Sequence, residues 1–148
     1  MKKTRILAGA LAIVCIAALA LNAADKKRIG GPKGGRLMEG TEPEAEFVVE
    51  KDHTVTIAFY DSALKPIAAT EQNVTVIADA SGNKTKIEFE KKGDVLVSKA
   101  KLPAGGDYNV VVQFKQKADA KPQNFRFKLD LATCGGCKRA EYACICDE

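Results

Sequence analysis

The sequence has no tryptophan and one histidine, His53, and its only methionine after the first residue is Met38. A single imidazole excludes a histidine-rich metal site, and a single internal thioether excludes a methionine-rich copper site. His53 follows a charged run between two strand-like segments, where a solvated turn residue is expected. Neither a Ser-His-Asp set nor a phosphate-binding glycine loop can be recognised. We therefore predict that the protein is not an enzyme.

Residues 1–23 have the pattern of a cleavable secretory signal peptide. Positive charges come first, an apolar run from Ile6 to Leu21 follows, and small residues come after it. The apolar run is shorter than the roughly 20 residues that span a bilayer, although an uncleaved N-terminal anchor is the alternative. Cleavage after Ala23 predicts a periplasmic or extracellular protein with no stable membrane insertion.

Loss of the signal peptide changes both the charge and the cysteine count. Three of the 23 Lys and Arg residues, but none of the 19 Asp and Glu residues, lie in residues 1–23. The remaining chain is almost neutral, so a nucleic-acid partner is not expected. Cys15 also lies in this segment, and the four remaining cysteines all fall between Cys134 and Cys146.

Residues 24–43 are rich in glycine, lysine and proline. Glycine and proline at this density do not build the interior of a helix or strand. We expect a flexible segment, or a loose pairing at a sheet edge from Arg36 to Met38.

Residues 44–131 alternate apolar and polar side chains, which is typical of strands with one buried face. The pattern is clearest at the end, where Phe125, Phe127, Leu129 and Leu131 alternate with polar residues. About seven strands and no helix predict an all-β fold, an immunoglobulin-like antiparallel β-sandwich. The predicted strands are Phe47–Val49, Thr54–Tyr60, Asn73–Asp79, Lys84–Glu90, Val95–Lys101, Tyr108–Lys115 and Asn124–Leu131.

Tyr108 stands where the sixth predicted strand begins, after the glycine-bearing connection that starts at Leu102. In Greek-key sandwiches a tyrosine at this place forms a tyrosine corner, in which the hydroxyl bonds back to the preceding backbone. We expect this bond for Tyr108, although an ordinary strand tyrosine is the alternative.

Residues 132–148 form a cysteine-rich tail, which we call the cysteine knuckle. Its spacing is C-x2-C-x6-C-x-C, with cysteines at Cys134, Cys137, Cys144 and Cys146. Four converging thiolates suit tetrahedral Zn²⁺, and fewer suit Cu⁺, because both ions prefer sulfur. The basic pair that follows the second cysteine is expected to favour the thiolate form. The knuckle looks too short and too polar to add to the core.

Two disulfides are the main alternative for these four cysteines, because an exported chain meets an oxidising compartment. Sequence alone does not choose among the three possible pairings. A redox-active C-x-x-C pair is less favoured, since no βαβ unit accompanies it.

Three stretches, Gly31–Leu37, Ala45–Val49 and Val55–Asp61, together resemble a small β-domain of bacterial envelope proteins. That domain occurs in some periplasmic adaptor subunits of heavy-metal efflux pumps. The resemblance implies a β-sandwich in the bacterial envelope and does not imply an enzyme. Relatives often carry histidines around the glycine motif, where this chain has Lys33.

These observations predict a non-enzymatic exported envelope protein that binds zinc or copper(I) through its C-terminal cysteines. A disulfide-stapled structural or protein-interaction module without metal is the alternative. The expected partner is the metal ion or another envelope protein.

Overall fold

The structure, a computed structural model, describes residues 30–146. The predicted signal peptide and Cys15 lie outside these residues. Within them, no helix is long and apolar enough to cross a membrane. The strands are β1 Arg36–Met38, β2 Glu44–Val49, β3 Val55–Tyr60, β4 Pro66–Ile67, β5 Asn73–Ala80, β6 Asn83–Lys92, β7 Val95–Ser98, β8 Asp107–Lys115 and β9 Gln123–Asp130. A 3₁₀ turn, Glu141–Ala143, is the only helical element in this part of the chain.

All the strands pair antiparallel along one continuous path, in the order β1-β2-β3-β7-β6-β5-β8-β9, with β4 on the side of β3. β6 makes this continuity possible because its two ends have different partners. Residues 83–88 pair with β5, and residues 89–92 pair with β7. The sheet therefore curls into a nearly closed barrel.

The prediction of an all-β antiparallel fold is confirmed, whereas the immunoglobulin-like sandwich stays a prediction. The expected count of about seven strands is too low for the described chain, which has nine. The two additional strands are short: β1, with 3 residues, is the edge pairing expected for Arg36–Met38, and β4 has 2 residues. Such short edge strands have too few residues to show an alternating pattern.

The inner faces of the strands form one hydrophobic core. β9 contributes Phe127 and Leu129 to it, with Phe125 and Leu131 packed against its margin, as the alternating pattern predicts. Phe127 contacts Phe47 of β2 edge to face, with ring centroids 5.4 Å apart. Side chains of β9, at one end of the sheet path, and of β2, next to the other end, thus meet inside the barrel.

The tyrosine corner is confirmed. The hydroxyl of Tyr108 donates a hydrogen bond to the carbonyl oxygen of Pro103, at 2.9 Å. Burial raises the pKa of Tyr108, which keeps this hydroxyl protonated as the donor. The bond fixes the connection between β7 and β8 against the start of β8.

For residues 24–43 we expected a flexible segment or a pairing at a sheet edge from Arg36 to Met38, and the second expectation agrees with β1, which pairs with β2 at the end of the sheet. Hydrogen bonds also hold the glycine-rich stretch before β1. Glu46 of β2 is fully buried, and its carboxylate accepts bonds from the backbone N–H groups of Lys33 and Gly35 and from the hydroxyl of Tyr60. Gly31 lies so close to the Glu46 side chain that a Cβ there would collide with it. The glycines therefore let the chain close over a buried carboxylate.

The barrel is open along a seam between β1 and β9, the two strands at the ends of the path. A cavity of about 290 Å³ lies along this seam, lined by residues 36–39 and 124–127. Arg36 crosses it: the guanidinium carbon lies 4.7 Å from the ring centroid of Phe127. An Arg over an aromatic face is a favourable contact, so Arg36 helps hold the two edges together.

We predict that Phe127→Ala lowers the free energy of unfolding by about 3–5 kcal/mol, because it leaves a cavity in the core. The neighbouring Lys128→Ala is the control. Lys128 pairs with Asp107 on the surface, where both side chains are well exposed, so its loss should stay within about 0.5 kcal/mol. Chemical denaturation of both variants measures the difference. Equal losses would mean that β9 does not bury one face.

Candidate metal centre

The first half of the cysteine knuckle is a tight turn that carries Cys134 and Cys137. The backbone N–H of Cys134 donates to the carbonyl oxygen of Arg139 at 2.7 Å, and the N–H of Lys138 donates to the carbonyl oxygen of Cys134 at 3.1 Å. Lys138 has a left-handed backbone, with φ of 62°. Such a reversal turns successive N–H groups toward one point, which favours an anion there. The Cys137 sulfur occupies that position and accepts from the Arg139 N–H.

The 3₁₀ turn Glu141–Ala143 carries the chain back to the second cysteine pair. The N–H of Glu141 donates to the carbonyl oxygen of Ala132 at 2.8 Å, which ties this turn to the end of β9. The N–H of Cys144 donates to the carbonyl oxygen of Glu141 at 3.1 Å and closes the turn. Cys144 and Cys146 then follow in extended chain beside the first pair.

All four predicted ligands come together. The sulfur atoms of Cys134, Cys137, Cys144 and Cys146 lie within 4.8 Å of one another. Three of the sulfur–sulfur separations are 3.8 Å for Cys134–Cys146, 3.8 Å for Cys137–Cys144 and 3.1 Å for Cys134–Cys144. A regular tetrahedron with zinc–sulfur bonds of about 2.3 Å separates its sulfurs by about 3.8 Å. The four sulfurs thus fit one tetrahedral metal ion after only small shifts.

The disulfide alternative is not supported. All four described cysteines are free thiols, and the closest sulfur pair, at 3.1 Å, is well beyond a bond of about 2.05 Å. The four sulfurs lie close together around a common centre as free thiols.

The four thiols do not share one electrostatic environment. Backbone N–H groups of Ile145 and Arg139 lower the pKa of Cys137 to about 6. The contact with the Cys134 thiol raises the pKa of Cys144 to about 12, and the same neighbour raises that of Cys146. One thiolate therefore forms easily at neutral pH, and further thiolates need a cation beside them.

The basic pair does not act through its side chains, contrary to the expectation from sequence. Lys138 Nζ donates to the carbonyl oxygen of Gly135 at 2.8 Å, and the Arg139 guanidinium donates to that of Gly31 at 3.1 Å. The backbone N–H of Arg139, rather than its charge, contacts the Cys137 sulfur. The local backbone conformation therefore favours the thiolate form of Cys137.

Gly136 makes room for the last ligand. A Cβ at this position would lie 2.6 Å from the sulfur of Cys146, which is closer than real carbon–sulfur contacts allow. Gly135 has open space around it, so the two glycines of the C-x-x-C turn are not equivalent. Only the second glycine, Gly136, must lack a side chain for the Cys146 sulfur to fit.

The expectation that the knuckle adds nothing to the core is wrong, because Tyr142 and Ala143 are core residues. The Tyr142 ring stacks on Phe127 at a centroid distance of 6.3 Å and meets Phe47 edge to face at 5.9 Å. Its hydroxyl oxygen accepts the N–H of Val49 at 3.0 Å. The x6 stretch between the cysteine pairs therefore closes one part of the barrel.

Two further contacts fix the knuckle on the seam. Arg36 Nη1 donates to the carbonyl oxygen of Tyr142 at 3.3 Å, from the β1 side. Ile145 packs so closely on Gly30 that a Cβ there would lie 2.8 Å from its Cγ2. The cysteine knuckle is thus attached to the barrel, and sequence reasoning missed both contacts.

Other residues considered from the sequence stay outside the site. His53 lies in the turn between β2 and β3, where its own backbone has a φ of 67° and its N–H donates to the carbonyl oxygen of Glu50. Glu46 holds the glycine-rich segment. Tyr142 could have been noticed from its position among Ala140 and Ala143 in an otherwise polar tail.

No protein-family model matches this sequence, and neither curated proteins nor solved structures match it significantly. The resemblance to the β-domain of heavy-metal efflux adaptors therefore stays a prediction. The argument for function rests on the cysteine site itself.

We predict that Tyr142→Ala lowers the free energy of unfolding by about 3–5 kcal/mol, since it removes a buried ring. Tyr142→Phe keeps the ring but leaves the Val49 N–H without its acceptor, at a cost of about 1 kcal/mol. The adjacent Glu141→Ala is the control, with little change expected. Chemical denaturation under reducing conditions gives all three values, and wild-type stability in Tyr142→Ala would contradict the docking of the knuckle.

Proposed function

We propose that the protein is a non-enzymatic binding protein for one soft metal ion, held by Cys134, Cys137, Cys144 and Cys146. The observation that carries this proposal is the convergence of the four sulfurs within 4.8 Å. Four thiolates in a tetrahedral arrangement favour Zn²⁺, whose structural sites commonly have this ligand set. Copper(I) is the second candidate ion, since it also prefers sulfur but takes fewer ligands.

The proposed location is the bacterial envelope or the space outside it, after cleavage of residues 1–23. A bound ion suits this location for a chemical reason. Free thiols in an oxidising compartment tend toward disulfides, and thiolates that bind a metal are less available for that reaction. Sequestration or delivery of the ion is the role that such a site serves, with another envelope protein as the partner.

Two further proposals concern relationship rather than chemistry. The tyrosine corner at Tyr108 supports an immunoglobulin-like ancestry for the barrel. A cysteine metal site supports the proposed relation to proteins of metal efflux. Neither is needed for the metal-binding proposal.

The proposal predicts that Zn²⁺ stabilises the reduced protein. A ligand at a hundred times its dissociation constant adds about 2.7 kcal/mol to the free energy of unfolding if it binds only the folded state. The variant with all four cysteines changed to serine should show no such gain, because serine offers a hard neutral oxygen. His53→Ala is the matched control and should respond as the wild type does.

Thermal melts with and without Zn²⁺, together with metal analysis after gel filtration, measure this effect. About one retained ion per chain in the wild type and none in the serine variant is the expected result. If both proteins retain the same amount, the cysteine site is not the binding site.

Binding should weaken as the pH falls, because protons compete with the metal for sulfur. The sign follows from the thiol pKa values. The lowered pKa of Cys137, about 6, keeps its thiolate at neutral pH and loses it below that value. The raised pKa values of Cys144 and Cys146 mean that binding releases their protons, so affinity should still rise above neutral pH. Titrations of Zn²⁺ at several pH values measure this dependence.

A further inference from the structure

The four candidate ligands differ sharply in their exposure to solvent. Cys134 is buried, with 6% of its surface exposed, whereas Cys137 and Cys144 are half-buried. Cys146 is the exposed member of the set. A molecule that approaches the site from solvent therefore meets the Cys146 sulfur first.

Backbone hydrogen bonds to sulfur distinguish Cys137 and Cys144 from Cys146. The Cys137 sulfur accepts from the N–H groups of Ile145 and Arg139, and the Cys144 sulfur accepts from the N–H of Cys146 at 3.4 Å. Within residues 30–146, no backbone N–H donates to the Cys146 sulfur. Because such bonds orient a metal ligand and stabilise its charge, Cys146 lacks a restraint that Cys137 and Cys144 have.

Among the described residues, the attachments of the knuckle to the barrel come before Cys146 in the chain. Arg139 donates to Gly31, the Tyr142 hydroxyl accepts from Val49, and Ile145 packs on Gly30. If Cys146 moved away from the ion, these contacts and the positions of the other three sulfurs would be kept. Release of Cys134 or Cys137, in contrast, would open the turn that forms the first half of the site.

From these observations we propose that Cys146 is the exchange ligand, through which the site transfers its ion to or from a thiol-bearing acceptor. The proposal rests on the metal-binding function proposed above. An incoming thiolate forms a bond to the metal as the bond to the Cys146 sulfur breaks, and the freed Cys146 takes up a proton. No electron is transferred, so the step needs no oxidant or reductant.

Limited alkylation of the zinc-loaded full chain tests directly whether Cys146 is the ligand that leaves the ion most readily. The protein, loaded with Zn²⁺ and freed of excess metal, is treated with iodoacetamide, and the labelled cysteines are mapped by peptide mass spectrometry. We expect the first label on Cys146, with Cys134 labelled last. Labelling of Cys134, Cys137 or Cys144 at the same rate as Cys146 would overturn the proposal.

The metal-free reduced protein serves as the control for this experiment. Without the ion, the other three sulfurs lose the protection that bonding to the metal gives them, so the preference for Cys146 should fall. A wild-type chain that retains no Zn²⁺ would refute the metal-binding function and this inference together. Retained Zn²⁺ with uniform labelling would refute the exchange role alone.

Single substitutions provide a second test that does not depend on alkylation chemistry. Cys146→Ser and Cys137→Ser each remove one thiolate, but only the second disturbs a restrained ligand. We expect Cys137→Ser to lose at least about tenfold more zinc affinity than Cys146→Ser, a difference of about 1.4 kcal/mol. Competition titrations with a chromophoric zinc chelator give both values, and equal losses would contradict the proposal.

Discussion

The packing of the Tyr142 ring against Phe47 and Phe127 is the contact on which the rest of the arrangement depends. Phe47 belongs to β2 and Phe127 to β9, so the ring touches both sides of the open seam. The hydroxyl oxygen adds a hydrogen bond from the end of β2. Because Tyr142 lies between the two cysteine pairs, the same residue that fills the barrel also sets the distance between the pairs.

This shared position would link the proposed metal binding to folding. An ion that binds only when the four sulfurs converge stabilises every contact that the convergence requires, including the Tyr142 packing. The glycine-rich segment belongs to the same unit, since the side chains of Glu46 and Arg139 both form hydrogen bonds with its backbone. The knuckle is therefore a part of the folded domain rather than an appendage.

Much of the fold could be predicted from the sequence because its strands obey a simple rule. β9 alternates strictly, and its apolar residues do lie in or against the core. The tyrosine corner was predictable as well, since it depends on a tyrosine and a nearby turn. These features are local, and local patterns can be read directly from a chain.

The features that could not be predicted depend on contacts between distant segments. The glycine-rich segment looks flexible until the buried carboxylate of Glu46 is placed beneath it. The knuckle looks polar, and its one aromatic ring, that of Tyr142, finds its partners about 15 and 95 residues earlier in the chain. The cysteine spacing identified the candidate ligands, but whether they would form disulfides or converge as thiols required the three-dimensional arrangement.

The central claim is that four sulfurs surround one soft metal ion, and X-ray absorption at the zinc edge tests it most directly. The measurement is made on the reduced full chain after loading with Zn²⁺ and removal of excess metal. The account predicts a first shell of four sulfurs at about 2.3 Å. A shell of nitrogen or oxygen atoms at about 2.0–2.1 Å, with one sulfur or none, would contradict it.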